Sequence, residues 1–415
     1  MVTGQRGITG QRGITGRRGL AGGAMALAGL GMAGRARGQG APFKIGVLSD
    51  MSGFVVDLSG PGSLTSARMA VEDHGGKVLG RLIEIMVGDH QNKPDVGIPM
   101  ARNWYDTGVR AIFDVGITTV ALGVQTLARE KNGLVVFVSS SSSDLTGSAC
   151  SPNGISWTYD NYSQSQGVVR QLLSEGAKTW FFLTVDYAYG RNVQRDTTRM
   201  VENGGGRVIG SVPHPFETKD FSSFLLQGKA SGADVIALAT TTSHAANALK
   251  QADEFGMRGG RQRLAALSLT LHDVKALGLP AAQGLLVTAP FYWDQNDQTR
   301  AFAKRYFERF GRMPNFVQAS MYGAVAHYLK AVEQAGTDDT AKVAALMKAT
   351  PINDFMTVNG RIRADGRTLR DNYVFRVKNP AESKSEWDLY APVATIPANE
   401  AFAPGDPGVC ALLKA

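Results

Sequence analysis

From residue 43 to about residue 290, the chain alternates between short apolar runs and amphipathic stretches long enough for a helix. The apolar runs predict strands at 43–50, 82–89, 111–116, 134–139, 178–186, 207–213, 234–240, 263–269 and 284–294. Strands that are apolar throughout are usually covered on both faces, and a helix between successive strands makes them parallel. The pattern therefore predicts an α/β fold built from parallel sheets that are covered by helices.

The stretches between the strands supply candidate helix caps. Ser63 precedes LTSARMAVED, and Thr118 and Thr119 precede VALGVQTLAREKNG. A hydroxyl at such a position accepts a hydrogen bond from a free N–H of the first turn. We therefore expect these three residues to cap the helices that follow them.

The series of strands and helices runs twice, which predicts two lobes between which the chain passes more than once. The first lobe is assigned to 43–158 plus 289–350, and the second to 159–288 plus 351–390. Residues 1–42 form a leader, and 391–415 form a C-terminal tail that returns to the first lobe. Ligands of open α/β sheets bind beyond the carboxyl ends of the strands. Two facing sheets would therefore enclose one cleft.

The basic charge of the chain is concentrated at its start. The first 42 residues hold six arginines and no acidic residue, whereas the whole chain has 44 basic and 36 acidic residues. The rest of the chain is therefore close to neutral. It offers no excess of positive charge with which to follow a phosphate backbone, so we expect no nucleic-acid partner.

The leader has the layout of an export signal. Arg17 and Arg18 precede an uncharged stretch at 19–33, and small residues follow. Adjacent arginines before a weakly apolar, glycine-rich stretch are typical of the twin-arginine route. The stretch is too short for a permanent membrane anchor. We expect a protein of the periplasm, cleaved somewhere between residues 33 and 41.

Two cysteines, Cys150 and Cys410, stand far apart in the chain. An exported protein with two thiols most simply pairs them in an oxidising compartment. The pairing would join the C-terminal tail to the segment after residue 147. The alternative is two unrelated free thiols.

Five consecutive serines, 139–143, directly follow the apolar run LVVFV at the end of the predicted strand 134–139. A flexible linker would have disordered neighbours, but this run lies between predicted elements. Ser141, Ser142 and Ser143 offer hydroxyl and amide donors, and Thr118 and Thr119 lie at the start of a helix. Such donors bind anions, and we expect a carboxylate as the ligand. The alternative is that these residues only cap helices.

Aromatic side chains follow two other predicted strands. Tyr189 comes shortly after the strand at 178–186, and Phe291 and Tyr292 end the strand at 284–294. They are candidates to close over an apolar or aromatic ligand. Packing between the lobes is the alternative role.

Motifs of catalysis and of metal or cofactor binding are absent from the sequence. It has no G-x-S-x-G, H-E-x-x-H, Walker A or Cys-x-x-Cys motif, and its six histidines lack the spacing of metal ligands. A serine hydrolase would need a base beside the serine run, for which His90 and His244 are the candidates. We expect no enzyme, cofactor or metal site.

The sequence resembles the periplasmic solute-binding proteins of ABC importers, in the branched-chain amino-acid (Leu/Ile/Val) type. The resemblance covers about residues 43–391 and is carried by FKIGVLSDMSGFVVDLSGPGSLTSARMAVED, DVGITTVALGVQTLAREKNGLVVFVSSSSSDLT, VDYAYGRNVQRD and AAQGLLVTAPFYWD. It implies two Rossmann-like lobes joined by three crossovers, the type I fold, which close on a ligand like a hinge. It also implies that Thr118, Ser141 and Ser143 contact the ligand's carboxylate and that Tyr189 contacts the ligand.

The sequence departs from the family at one position. Amino-acid binders place an acidic side chain against the ligand's ammonium, on a loop of the second lobe. Here that loop reads SLTLHD and has no acid before Asp273. Asp186 and Asp50 are alternative sources of the charge, because a buried ammonium without a partner is costly. An amino acid and an amine-free organic acid, aromatic or not, both stay open as ligands.

The leading hypothesis is a monomeric binding protein that delivers an amino acid or small carboxylate to an ABC permease in the inner membrane. A second hypothesis is a ligand sensor or regulator of the same fold. The leader and the lack of an output domain argue against it. An exported serine hydrolase is a third, for which a catalytic triad is missing from the sequence.

Overall fold

A computed structural model of the protein describes residues 40–257 and 259–414. The predicted export signal lies outside these residues, apart from the last three positions of the 1–42 leader. Within the described part of the chain, none of the helices is long and apolar enough to cross a membrane.

The strands, numbered in chain order, are β1 (Phe43–Ser49), β2 (Lys77–Val78), β3 (Arg81–Asp89), β4 (Ala111–Asp114), β5 (Leu134–Phe137), β6 (Gly154–Ser156), β7 (Thr179–Val185), β8 (Arg207–His214), β9 (Val235–Ala239), β10 (Arg263–Ala266), β11 (Leu286–Ala289), β12 (Arg361–Ile362), β13 (Thr368–Leu369), β14 (Asn372–Val377) and β15 (Tyr390–Ile396). The α-helices are α1 (Gly60–Asp73), α2 (Pro94–Asp106), α3 (Thr118–Glu130), α4 (Asn161–Ser174), α5 (Ala188–Asn203), α6 (Ser222–Ala230), α7 (Thr242–Glu254), α8 (Leu271–Leu277), α9 (Leu279–Ala282), α10 (Asp297–Phe310), α11 (Phe316–Ala335), α12 (Thr340–Ala349) and α13 (Ala398–Ala401).

The first sheet has the order β2-β3-β1-β4-β5-β6, and all its strands except the short β2 run parallel. Successive side chains of β5 enter two different cores. Leu134 and Val136 pack in the core that includes α1 and α11, whereas Val135 and Phe137 pack in the core with α2 and α3. Both faces are covered, which is why the strand is apolar throughout.

The second sheet has the order β10-β9-β7-β8 and is parallel throughout. Trp180 and Phe182 of β7 pack in the core that includes α4 and α5. Leu183 and Ile236 point to the other face, toward α6 and α7. The α/β fold of helix-covered parallel sheets is therefore confirmed.

The chain passes between the two sheets after β6, after β11 and before β14. Strands β11, β14 and β15 form a separate antiparallel sheet beside α4, while α10, α11 and α12 return to the first sheet, where α11 packs on α1. The short antiparallel pair β12–β13 lies next to α12. The predicted lobe boundaries stay predictions, and the one at 391 falls inside β15.

Three elements begin or end elsewhere than the sequence suggests. Helix α1 starts at Gly60, with Pro61 in its first turn, so Ser63 lies inside the helix and does not cap it. Helix α3 starts at Thr118 and has Ile117 at its N-cap, so neither threonine is the N-cap. Strand β11 ends at Ala289, before the aromatic residues that were expected to finish it.

The disulfide between Cys150 and Cys410 is present, as predicted, and spans 260 residues of sequence. It joins the C-terminal tail to the segment that follows a short 3-10 turn, Ser143–Thr146. In the chain-entropy model, closing a loop of this length stabilises a protein by about 5 kcal/mol. The tail is thereby tied close to the end of the serine run.

Candidate ligand-binding site

A cavity of about 50 Å³ lies where the loops after the strands of both parallel sheets meet. The first sheet and its loops contribute Phe54, Val55, Leu58, Ser59, Gly116, Ile117, Thr118, Ser139, Ser141 and Tyr159. The second contributes Tyr187, Tyr189, Phe216, Thr241, Thr242 and Ser268. The lining residues bear hydroxyl groups, rings and short aliphatic chains, and none of them carries a formal charge at neutral pH.

Helices from both sheets begin at this cavity. The N-cap or first helical residue of α3, α5 and α7 lines it, namely Thr118, Tyr187 and Thr242 respectively. No described side chain at these N-caps makes the usual capping hydrogen bond. The first-turn N–H groups and the positive ends of three helix dipoles are therefore directed toward the cavity, which favours an anion there.

The first half of the serine run faces the cavity. Ser139 and Ser141 line it and are 3% and 5% exposed. Their backbone carbonyls are held in place, because the Tyr159 hydroxyl donates to the Ser139 oxygen at 2.9 Å and the Asn161 N–H donates to the Ser141 oxygen at 2.8 Å. The Ser139 Oγ is buried and lies next to the Asp114 carboxyl. The backbone of the serine run is thus fixed where it borders the cavity.

The loop that carries Thr118 follows a strained turn. Asp114 and Val115 have φ angles of 84° and 54°, in the left-handed region that β-branched residues avoid. The Asp114 carboxyl is fully buried, close to the hydroxyls of Ser49 and Ser139. Burial raises the pKa of Asp114 to about 6. A carboxylic acid thus lies beneath the serines, behind the wall of the cavity.

The second half of the serine run turns away from the cavity and contacts α5. The Ser143 hydroxyl donates to Asp196 at 2.8 Å, and Asn192 donates from its amide to Asp144 at 2.9 Å. Arg195 bridges the two acids, with Nε 2.8 Å from Asp196 and Nη1 3.2 Å from Asp144. We call these residues the latch. It connects the serine loop of the first sheet to a helix of the second.

Ser142 also contacts the latch, because its Oγ lies 3.4 Å from the Asn192 amide. Thr119 makes a similar contact nearby, with its Oγ1 2.8 Å from the Tyr187 hydroxyl. Of the sequence candidates for carboxylate contact, the structure thus places Thr118 and Ser141 on the cavity. It places Ser142, Ser143 and Thr119 in contacts between the two sheets.

Tyr189 lies on the cavity near Ser268, which stands two residues after the end of β10. Removal from water raises the pKa of Tyr189 to about 12, although the Ser268 hydroxyl acts in the opposite direction. The phenol therefore stays protonated and can donate a hydrogen bond. Ser268 occupies the loop in which the sequence lacks an acid.

The three acids considered for an ammonium partner are all used elsewhere. Asp50 accepts hydrogen bonds from the N–H of Gly53 and of Val55, at 2.6 and 2.9 Å. Asp186 is exposed and forms an ion pair with Arg191. Asp273 accepts a 2.8 Å hydrogen bond from the Thr270 N–H at the start of α8, and burial raises the pKa of Asp273 to about 6.

Phe291 and Tyr292 do not line the cavity, so their predicted role at the ligand is not retained. Because β11 ends at Ala289, the chain turns and buries both rings in the core. The Tyr292 hydroxyl lies 3.2 Å from the Trp387 carbonyl and accepts a hydrogen bond from the Leu389 N–H at 3.1 Å. These contacts tie the second crossover to the segment before β15.

Sequence reasoning missed several lining residues. Phe54 and Phe216 form an edge-to-face pair with ring centroids 4.8 Å apart, and the Tyr187 ring lies 5.5 Å from Phe216. Thr241, Thr242 and Ser268 were also missed. All of them follow strands of the two parallel sheets, so the position of each loop in the topology was the available signal.

Two facing α/β sheets with a small, uncharged, hydroxyl- and ring-lined cavity between their strand ends define a two-lobed binding protein. Comparison with known proteins supports this class. A family model described as periplasmic binding protein matches residues 42–384. The chain therefore belongs to the periplasmic binding protein family.

A solved periplasmic binding protein from Burkholderia mallei is 41% identical, with a TM-score of 0.85, and the match covers 87% of this chain and 96% of that one. A branched-chain amino-acid ABC transporter ligand-binding protein from Burkholderia xenovorans LB400 is also 41% identical, with a TM-score of 0.79 and coverage of 87% and 97%. The leucine-, isoleucine-, valine-, threonine- and alanine-binding protein of Pseudomonas aeruginosa is 23% identical over 85% of this chain and 93% of its own length.

Proposed function

We propose that this protein is the extracytoplasmic substrate-binding component of an ABC importer and that it captures a small carboxylate between its two lobes. One observation carries the proposal: uncapped helix N-termini and buried hydroxyls converge on one cavity between the sheets. Thr118, Ser139 and Ser141 would receive the carboxylate, and Tyr189 would contact the ligand from the other side.

The partner in this proposal is a permease of the inner membrane, to which a monomeric, closed binding protein delivers its ligand. The family and the ABC transporter relatives support this partner. Arg17 and Arg18, before an uncharged stretch, support export to the periplasm by the twin-arginine route.

Thermal unfolding of the exported protein with a panel of carboxylates and amino acids tests the proposal. A ligand that binds only the folded state stabilises it by about 2.7 kcal/mol at a hundredfold excess over Kd. The Ser141→Leu variant places a bulky side chain in this small cavity and should lose the shift. Ser148→Leu, at an exposed position of the same segment, should keep it. No shift with any compound for the unaltered protein would contradict the proposal.

A further inference from the structure

The charge environment of the cavity is positive from both sides. Helix α3 directs its N-terminus toward it from the first sheet, and α5 and α7 do so from the second. Each helix end carries roughly half a positive charge. An ammonium group in the ligand would meet this potential at either end of the cavity.

No lining side chain offsets that potential with a negative charge. On the second side Asp273 lies behind the lining, where it is bonded to the Thr270 N–H and hydroxyl as a helix cap and to the hydroxyl of the lining residue Thr242. On the first side Asp114 lies behind Ser139. A buried ammonium would therefore lack the partner that its desolvation requires.

The end of the cavity near the second sheet instead presents hydrogen-bond donors to a ligand. The Thr241 Oγ1 is buried without a hydrogen-bond partner among the described residues. It stands at the start of α7, whose first-turn N–H groups are uncapped. Thr242 and Ser268 line the same end, but the Thr242 hydroxyl is bonded to Asp273 and the Ser268 hydroxyl to Tyr189. The Thr241 hydroxyl and the first N–H groups of α7 are therefore the donors available at this end among the described residues. Donors of this kind call for an acceptor atom on the ligand.

Rings surround the space between these two ends. Phe54 enters from the loop after β1, while Tyr187 and Phe216 enter from loops of the second sheet. Edge-to-face and offset contacts between rings are favourable at such distances. A flat aromatic body fits this lining.

From these observations we infer the ligand class: an aromatic carboxylate that lacks an amino group and carries an acceptor, such as a hydroxyl or keto oxygen, at the end opposite the carboxylate. The inference rests on the proposed function and narrows it. The carboxylate would lie at Ser139, Ser141 and the start of α3. The second oxygen would lie at the Thr241 hydroxyl and the start of α7.

Matched pairs of compounds that differ only in the amino group test whether the ligand lacks such a group. Binding to the exported protein is measured by calorimetry for 3-(4-hydroxyphenyl)propionate against L-tyrosine, 3-phenylpropionate against L-phenylalanine, and 4-methylpentanoate against L-leucine. In each aromatic pair the amine-free acid should bind about a hundredfold more tightly or better, since the ammonium has no partner. Equal or tighter binding of the amino acids would overturn the inference and leave the proposed function standing. If none of these compounds nor any other carboxylate binds, both fail.

A second comparison tests whether the ligand carries a hydrogen-bond acceptor opposite its carboxylate. 4-Hydroxybenzoate should bind about tenfold more tightly than benzoate, which corresponds to one additional buried hydrogen bond. Thr241→Val removes the unpartnered hydroxyl at nearly constant volume and should abolish that advantage, so that the two acids bind equally tightly. Thr126→Val, at an exposed position of α3, serves as the control. If benzoate binds as tightly as 4-hydroxybenzoate, or 4-methylpentanoate binds more tightly than both, the inferred ligand class is wrong.

Discussion

The two halves of the serine run have different surroundings although they are adjacent in the chain. Ser139 and Ser141 line the cavity, whereas Ser142 and Ser143 contact α5. Ser139 and Ser141 alternate with Ser140 and Ser142, and of these four only Ser139 and Ser141 line the cavity. At Ser143 the chain enters a 3-10 turn, which directs the remaining hydroxyl toward Asp196. One segment thus provides both a seat for the ligand and a contact between the lobes.

The largest expected effect concerns Asp114, the buried acid next to Ser139 in the first half of the serine run. Asp114 ionises near pH 3.8 in an unfolded chain but has a pKa raised to about 6 by burial. Between these pH values the folded state holds the proton and the unfolded state does not, so the free energy of unfolding falls as pH rises. The loss, fully developed above about pH 6, is at most about 3 kcal/mol.

Asp114→Asn should remove this pH-dependent loss in the free energy of unfolding. Urea unfolding between pH 4 and 7 should therefore show the variant gaining stability relative to the unaltered protein as pH rises. Asp106→Asn, which changes an exposed carboxylate paired with Lys131, is the control. Parallel stability curves for the unaltered protein and Asp114→Asn would refute this account of the buried acid.

A smaller effect, on ligand affinity, distinguishes the two halves of the serine run. Ser141→Ala should weaken binding of 4-hydroxybenzoate about tenfold to a hundredfold, because a hydrogen bond to a charged group contributes about 1.5–3 kcal/mol. Ser143→Ala should weaken it much less, since its hydroxyl is bonded to Asp196. Calorimetry on both variants measures the difference. Equal losses would show that the division of the serine run is incorrect.

The smallest effect concerns the latch. Arg195→Ala removes the ion pairs to Asp144 and Asp196. Because the guanidinium is 39% exposed, we expect a loss of only about fivefold in affinity. The loss should be the same for every acid that binds, since it acts through lobe closure, and it should shrink at high salt. Arg199→Ala, on the exposed side of the same helix, is the control, and a loss that depends on the ligand would argue against a latch.

The strand positions could be predicted because buried strands are continuous apolar runs, as LVVF and VIALA show. Helix starts were less accurate. At α1, Pro61 determines the start better than the hydroxyl of Ser63 does. At α3 the backbone turn at Asp114 and Val115 sets the start, and its positive φ angles leave no clear signal in the sequence.

The site could be predicted in part. Topology indicated which loops meet, so Thr118, Ser141 and Tyr189 were expected where the structure places them. Side-chain direction depends on where each strand ends. A strand β11 that stops four residues before Trp293 buries Phe291 and Tyr292 in the core. Phe54 and Phe216 lie in irregular loops, and their approach to each other is decided only by tertiary packing.

A crystal structure of the protein with 4-hydroxybenzoate tests the central claim most directly. The account predicts the carboxylate within about 3 Å of the Ser141 hydroxyl and the first N–H groups of α3, with the phenol oxygen near the Thr241 hydroxyl and the start of α7. A ligand bound outside this cavity, or one whose carboxylate points toward the second sheet, would contradict it.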